Sequence, residues 1–178
     1  MITKHFLLSE NDWVPNNPRL PVIVYSRFSA EGGSLAQAFE EAFAANGWQG
    51  IWRNGIFDYH HFHTTAHEVL GIATGEAHVV LGGPGGRELQ VTAGDCLVLP
   101  AGTGHCRISA SDDFLVVGAY PPGQDPDLRR SDAGENGKRH IATLPLPERD
   151  PLGADGIPSL WGDGSQAVRS LAPAQVDR

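Results

Sequence analysis

Cysteine is nearly missing from this sequence: Cys96 and Cys106 are the two among 178 residues, too few for a disulfide framework. Both read as free thiols acting as small buried apolar side chains. Basic charge is scarce as well. The 13 Lys and Arg face 21 Asp and Glu, giving a formal net charge of -8, and the basic residues come in short pairs such as Arg129-Arg130 and Lys138-Arg139. Nucleic acid is therefore disfavoured as a partner, because backbone phosphates must be met by clustered cations. No apolar run approaches the length needed to span a bilayer. The opening MITKHFLLSE also lacks the apolar core of a secretory signal, so a cytoplasmic protein with no membrane partner is expected.

What the chain does have is glycine and proline, 22 and 13 residues, with 40% hydrophobic content. They are spread without a repeat, as in a single domain of many short elements joined by tight turns. Residues 1–33 read as an N-terminal arm ending in one strand, the β-branched run Val22 to Tyr25. Residues 34–47 read as an amphipathic helix. Leu35, Ala38, Phe39, Ala42 and Phe43 share a face, Ser34 and Gln37 form a capping box, and Asn46-Gly47 supplies the stop. Residues 48–120 form the expected barrel core. From Gly55 onward the period becomes two, and strands are expected at 56–63, 68–74, 76–81, 87–92, 96–100, 105–110 and 114–120, separated by turn signals. Such evenly spaced short strands favour an all-β sandwich or barrel. Residues 121–178 form a loop-rich extension, with 121–140 reading as solvated loop, 141–161 lying along the barrel and poor order expected beyond Trp161.

The stretch YHHFHTTAHEVLG, Tyr59 to Gly71, holds four histidines and a glutamate. In a strand His61 and His63 share one face while His60 and Phe62 share the other. After a turn at 64–66, either His67 or Glu68 can face the first pair. Local geometry leaves that choice open.

Two longer spacings bear on it. Gly55-x5-His61-x-His63-x4-Glu68-x6-Gly75 and Gly94-x5-Pro100-x-Gly102-x2-His105 resemble the two motifs of the cupin superfamily. The segments PNNPRLPVIVY, NGWQGIWRNGIFDYHHFH, TAHEVLGIATG, AGDCLVLPAGTGHC, FLVVGAYPPGQD and LPLPERDPLG extend the likeness to the bacterial YjlB-type single-domain cupins, over roughly residues 5 to 161. The resemblance implies an antiparallel jelly-roll barrel (a double-stranded β-helix) with one N-terminal helix and an extended C-terminal tail. It also implies His61, His63, Glu68 and His105 as metal ligands. Ser109 stands where the second motif usually ends in Asn, a position that is not a ligand. His5, His60, His67, His78 and His140 read as ordinary core or surface histidines.

Three imidazoles and one carboxylate suit a divalent transition metal, Fe(II) first, then Mn(II), Ni(II) or Zn(II), with Cu(II) also compatible. Four protein ligands leave two adjacent octahedral positions, the arrangement a dioxygenase-type oxidoreductase needs for a small polar or anionic substrate and dioxygen. Glu68 could also accept a proton. By strand parity Phe57 and Tyr59 should line the barrel interior with His61, and Arg107 should share the face of His105 and hold a substrate anion. The alternatives are a metal-dependent isomerase or lyase, or a non-catalytic ligand-binding module. Exchange of the N-terminal arm between copies would make a homodimer.

Overall fold

Several strands of this chain are apolar at every position, and the topology gives the reason. The computed structural model describes residues 2–162. A six-stranded antiparallel sheet has the order β1 (Ile2–Phe6), β2 (Val22–Tyr25), β7 (Cys96–Leu99), β4 (Glu68–Thr74), β9 (Leu115–Tyr120) and β3 (Gln49–Asn54). A second sheet of three strands has the order β6 (Arg87–Thr92), β5 (Glu76–Leu81) and β8 (His105–Ala110). The inward face of the large sheet carries Val22, Val24, Leu70, Ile72, Leu97, Leu99 and Val116, which pack with Val79, Leu81 and Val91 of the small sheet. Its outward face carries Ile23, Tyr25, Val69, Ala73, Cys96, Val98, Val117 and Ala119, and this side too is covered. A strand buried on both faces loses its alternation.

The outer cover begins with helix α1 (Leu35–Ala45). Ser34 caps it by accepting from the Gln37 N–H at 3.1 Å, as the capping-box spacing predicts, a contribution of about 1 kcal/mol. Phe39 and Phe43 are fully buried against the sheet, and each stabilises the fold by roughly 1.5–3 kcal/mol. The C-terminal segment completes the cover. Asp150 accepts from the Tyr25 hydroxyl at 2.5 Å, and the Trp161 indole donates to the Pro21 carbonyl at 2.9 Å. The stretch 141–161 thus lies on the large sheet, outside the barrel.

Three expectations need correction. The segment 56–63 is not a continuous strand: Phe57 accepts from the Arg107 N–H and His61 pairs with His105, so the five residues from 57 to 61 run opposite the three from 107 to 105. The mismatch bulges residues 58–60 out of the ladder. The arm holds a second strand, β1, paired with β2 in the same chain. The presumed loop after Tyr120 contains helix α2 (Gly134–Thr143), whose sequence GENGKRHIAT has too few apolar residues to show a helical period. Its buried face is Gly137 and Ile141, so tertiary contact rather than propensity forms it. Gly75 and Gly94 take positive φ at their turns, 74° and 95°, as their spacing predicts. The expectation of poor order beyond Trp161 falls on residues 163–178, outside the described residues.

Candidate metal centre

Strand parity resolves the open choice between His67 and Glu68. Glu68 begins β4 on the face of Leu70 and Ile72 and points into the barrel, only 4 % exposed. His67 points the other way, fully buried against Trp161 with ring centroids 4.9 Å apart.

His61 and His63 follow the bulge, and His105 opens β8 opposite His61. Reciprocal backbone bonds, His105 N–H to His61 O at 2.9 Å and His61 N–H to His105 O at 3.3 Å, lock the two segments together. Proline and glycine at positions 100 and 102 end β7 early, and the Gly102 N–H donates to the His63 carbonyl at 2.7 Å. The three rings are buried, and each offers a ligand nitrogen within 4.8 Å of the other two. Glu68 Oε1 adjoins two of them, 3.1 Å from His105 Nε2 and 3.5 Å from His63 Nε2.

The ring tautomers follow from the backbone. His61 Nδ1 lies 2.9 Å from the Tyr59 carbonyl, His105 Nδ1 3.0 Å from the Thr103 carbonyl, and His63 Nδ1 against the Asp127 carbonyl. A carbonyl can only accept, so all three Nδ1 atoms carry protons, and in each neutral ring the Nε2 lone pair faces the centre. Two of those lone pairs then confront a carboxylate oxygen, acceptor against acceptor, in a buried site. Either a proton or a cation must sit between them. Burial, then the charge of His105, pushes His61 down to about 3, so it is neutral at ordinary pH. For Glu68, burial alone would raise the pKa, but His63 and His105 outweigh it and hold the carboxyl well below the usual range. For His63, burial is outweighed by Glu68, and its pKa stands above the ordinary value. The donor set fits a divalent metal bound through three Nε2 atoms and a carboxylate.

A cavity of about 480 Å³ opens onto this cluster, with Trp52, Leu70, Arg107, Phe114 and Tyr120 among its walls. Arg107 lines the same cavity as His105. Its Nε donates to the Ile56 carbonyl at 3.1 Å, and among the described residues it makes no ion pair. Phe57 and Tyr59 differ from expectation. The bulge carries them to the mouth, where Phe57 is 49% exposed and Tyr59 stacks behind it at 4.9 Å.

Residues 53–123 match the family described as Cupin. An uncharacterised protein of Bacillus subtilis, YjlB, is 35% identical over 152 residues, covering 84% of this chain and 90% of its own length. This chain belongs to the cupin family, and is of the YjlB type. Among solved structures this cupin is similar to an acireductone dioxygenase from Bacillus anthracis with a cadmium ion in its active centre (17% identical, TM-score 0.38, 52% of this chain and 63% of that one). It is also similar to a dTDP-6-deoxy-D-glucose-3,5-epimerase from Legionella pneumophila (14% identical, TM-score 0.34, 86% and 90% covered).

Three contributors to the cupin site escaped sequence reasoning. Asp127 accepts from the Thr64 N–H at 2.6 Å and the Thr64 hydroxyl at 2.5 Å while its own carbonyl holds His63. Nothing in the spacing of PGQDPDLRR marks it. Tyr120 lines the cavity together with Glu68 and accepts from the Trp52 indole at 2.9 Å. Burial, then the charge of Glu68, raises the Tyr120 pKa. Parity from Val116 and Gly118 on β9 was the signal available for Tyr120. Trp52 lies over Gly118, where a Cβ would come within 2.1 Å of the indole.

Proposed function

We propose that this chain is a mononuclear metal-dependent oxidoreductase of dioxygenase type acting on a small polar or anionic molecule. His61, His63, His105 and Glu68 would hold the metal, with Fe(II) the first ion to test and Mn(II), Ni(II) and Zn(II) after it. The observation that carries this reading is the set of three buried imidazoles whose Nδ1 protons are tied to backbone carbonyls, so that every Nε2 is directed at one centre beside Glu68.

When bound, such an ion supplies Lewis acidity and, if redox-active, a site at which substrate and dioxygen meet. The rest falls to the chain. Tyr120, held by the Trp52 indole, forms the cavity wall beside the Glu68 carboxylate. Leu70, Phe114 and Trp52 give the cavity an apolar wall that limits water around the reacting groups. Arg107, fixed through its Nε, keeps its terminal nitrogens for an anionic group. Glu68 is chiefly a ligand and can take up a proton if it is released from one of its histidines.

Elemental analysis of protein purified without chelator or affinity metal, followed by oxygen-uptake assays on a panel of small acids and diketones, tests the proposal. Stoichiometric iron with substrate-dependent uptake is expected. Zinc without uptake would overturn the oxidoreductase reading in favour of isomerase or lyase chemistry, and metal-free protein that binds ligands without turnover would make it a binding module. The assembly proposed is a homodimer. Sedimentation velocity at micromolar concentration should give twice the chain mass of 19.0 kDa.

A further inference from the structure

The mouth of the cavity is built from a stack with one free face. The Arg130 guanidinium lies 3.8 Å over the Tyr59 ring, and Tyr59 stacks on Phe57 at 4.9 Å with an interplanar angle of 11°. The edge of His61 fixes both rings from the side, 5.3 Å from Phe57 and 5.5 Å from Tyr59. Phe57 is thus held in place on one face and at one edge, yet it is 49% exposed and lines the cavity. A large aromatic so held and left open is a platform, because its stacking partner needs no side-chain reordering to bind.

Arg107 stands beside it. The Arg107 backbone N–H donates to the Phe57 carbonyl at 2.9 Å and its side-chain Nε to the neighbouring Ile56 carbonyl at 3.1 Å. Two such bonds orient the guanidinium and leave its terminal nitrogens unpaired by any carboxylate among the described residues. Asp58, also at the mouth, is exposed and makes no ion pair with Arg107. A fixed, unpaired guanidinium next to an open ring recognises a flat molecule that bears a carboxylate. The cavity, about 480 Å³, lies within the range of small-molecule sites, roughly 300–1,000 Å³.

We propose that the substrate of this centre is a planar conjugated carboxylate, an aryl or enolic acid, whose flat body stacks on Phe57 and whose carboxylate is read by Arg107. The proposal rests on the reading of this cavity as the substrate site of a metal centre. Arg107 and Phe57 are the specificity determinants, and Arg130 and Tyr59 are positioning residues for the platform.

The test uses full-length metal-stripped protein and three probes matched in size, benzoate, cyclohexanecarboxylate and benzyl alcohol, with calorimetric titration as the readout. Benzoate should bind best, with cyclohexanecarboxylate and benzyl alcohol each weaker by about ten-fold for want of stacking or charge. Arg107→Gln should remove the preference for benzoate over benzyl alcohol, and Arg107→Lys should restore part of it. Phe57→Ala should bring benzoate and cyclohexanecarboxylate to within about two-fold. Equal binding of the two carboxylates by the wild type, or benzoate affinity unchanged in Arg107→Gln, overturns the proposal. So does an absence of benzoate binding. Metal content is measured separately on reloaded samples. Benzoate selectivity without metal uptake would defeat the metal reading alone, and metal uptake without benzoate selectivity would defeat this proposal alone.

Discussion

His67 and Glu68 are neighbours in sequence and both are hidden from solvent, 0 % and 4 % exposed, yet they belong to opposite sides of the same sheet and to opposite kinds of environment. On the outer side His67 Nδ1 accepts from the Ala101 N–H at 2.8 Å, so its proton is on Nε2, which is buried beside the Trp161 ring without a hydrogen-bond partner among the described residues. On the inner side the three histidines of the candidate site have the reverse arrangement, Nδ1 donating to carbonyls and Nε2 bare. Burial therefore does not mark a metal ligand. The backbone group that meets Nδ1 is the better guide, because a carbonyl there leaves the second nitrogen with a lone pair for a cation, whereas an N–H there leaves the second nitrogen protonated and unable to bind one.

The largest effects should separate the two sides directly. His61→Ala is expected to reduce bound metal from about one ion per chain to near zero, while the metal-free variant keeps its unfolding free energy within about 1 kcal/mol, since it removes a ring crowded by His63 and His105. His67→Ala should do the opposite. It retains the metal but loses about 2–4 kcal/mol, from the void beneath Trp161 and the stranded Ala101 N–H. Plasma emission analysis and urea unfolding of both variants provide the check, and metal loss in His67→Ala would erase the distinction between the two faces.

Next in size is Asp127, which belongs to neither sheet. Its carboxylate holds the turn after His63 through the Thr64 N–H and hydroxyl, and Arg129 Nε adds a bond at 2.9 Å. These donors keep its carboxyl below the usual range even though burial acts to raise it. Asp127→Ala should weaken metal binding by about 10–100-fold through misdirection of the His63 ring. Competition with a chromophoric chelator measures it, and an unchanged dissociation constant would mean that the turn keeps its shape unaided.

This ranking also explains how much was legible in the sequence. Spacings within one strand or one turn could be read: the Ser34 cap, the Phe39–Phe43 face, the turn glycines, the strands from 68 to 120, and the shared side of His61 and His63. The choice of Glu68 over His67 came from resemblance, and parity with Leu70 supplies its physical reason only once the inward face is known. Long-range partners were out of reach. Asp127 meets Thr64 across a separation of 63 residues, and the Trp161 indole meets Pro21 across 140. The bulge at 58–60 failed for a related reason. Alternation continues through FDYHHFH, and only the register against β8 reveals that Phe57 and Tyr59 are displaced to the mouth.

Gly118 probes the inner side by packing alone. Because Trp52 occupies the space a Cβ would need, Gly118→Ala should cost about 1–3 kcal/mol. It should also loosen the Trp52–Tyr120 bond in the wall beside Glu68, visible as a weaker metal complex. The corresponding close approach on the outer side is Gly71, where a Cβ would meet the Phe39 ring at 2.7 Å. Gly71→Ala should show a similar loss of stability with metal affinity unchanged.

The smallest effect belongs to the outer anchor at Tyr25. Burial, followed by the hydrogen bond to Asp150 and that residue's charge, raises the Tyr25 pKa well above the ordinary tyrosine value of 10.0. The unfolded chain therefore releases this proton first as pH rises past about 10, and folding stability must fall with pH from there at up to about 1.4 kcal/mol per unit. Tyr25→Phe removes that proton from both states, so its unfolding free energy, lower at neutral pH by about 1–2 kcal/mol for the lost bonds to Asp150 and Gly156, should decline less steeply between pH 10 and 11. Urea unfolding of the two proteins across that interval gives the difference in slope. Equal slopes would mean that Tyr25 ionises as readily folded as unfolded, and the tail would then be held to the sheet by its apolar contacts and the Trp161 indole without help from the buried pair.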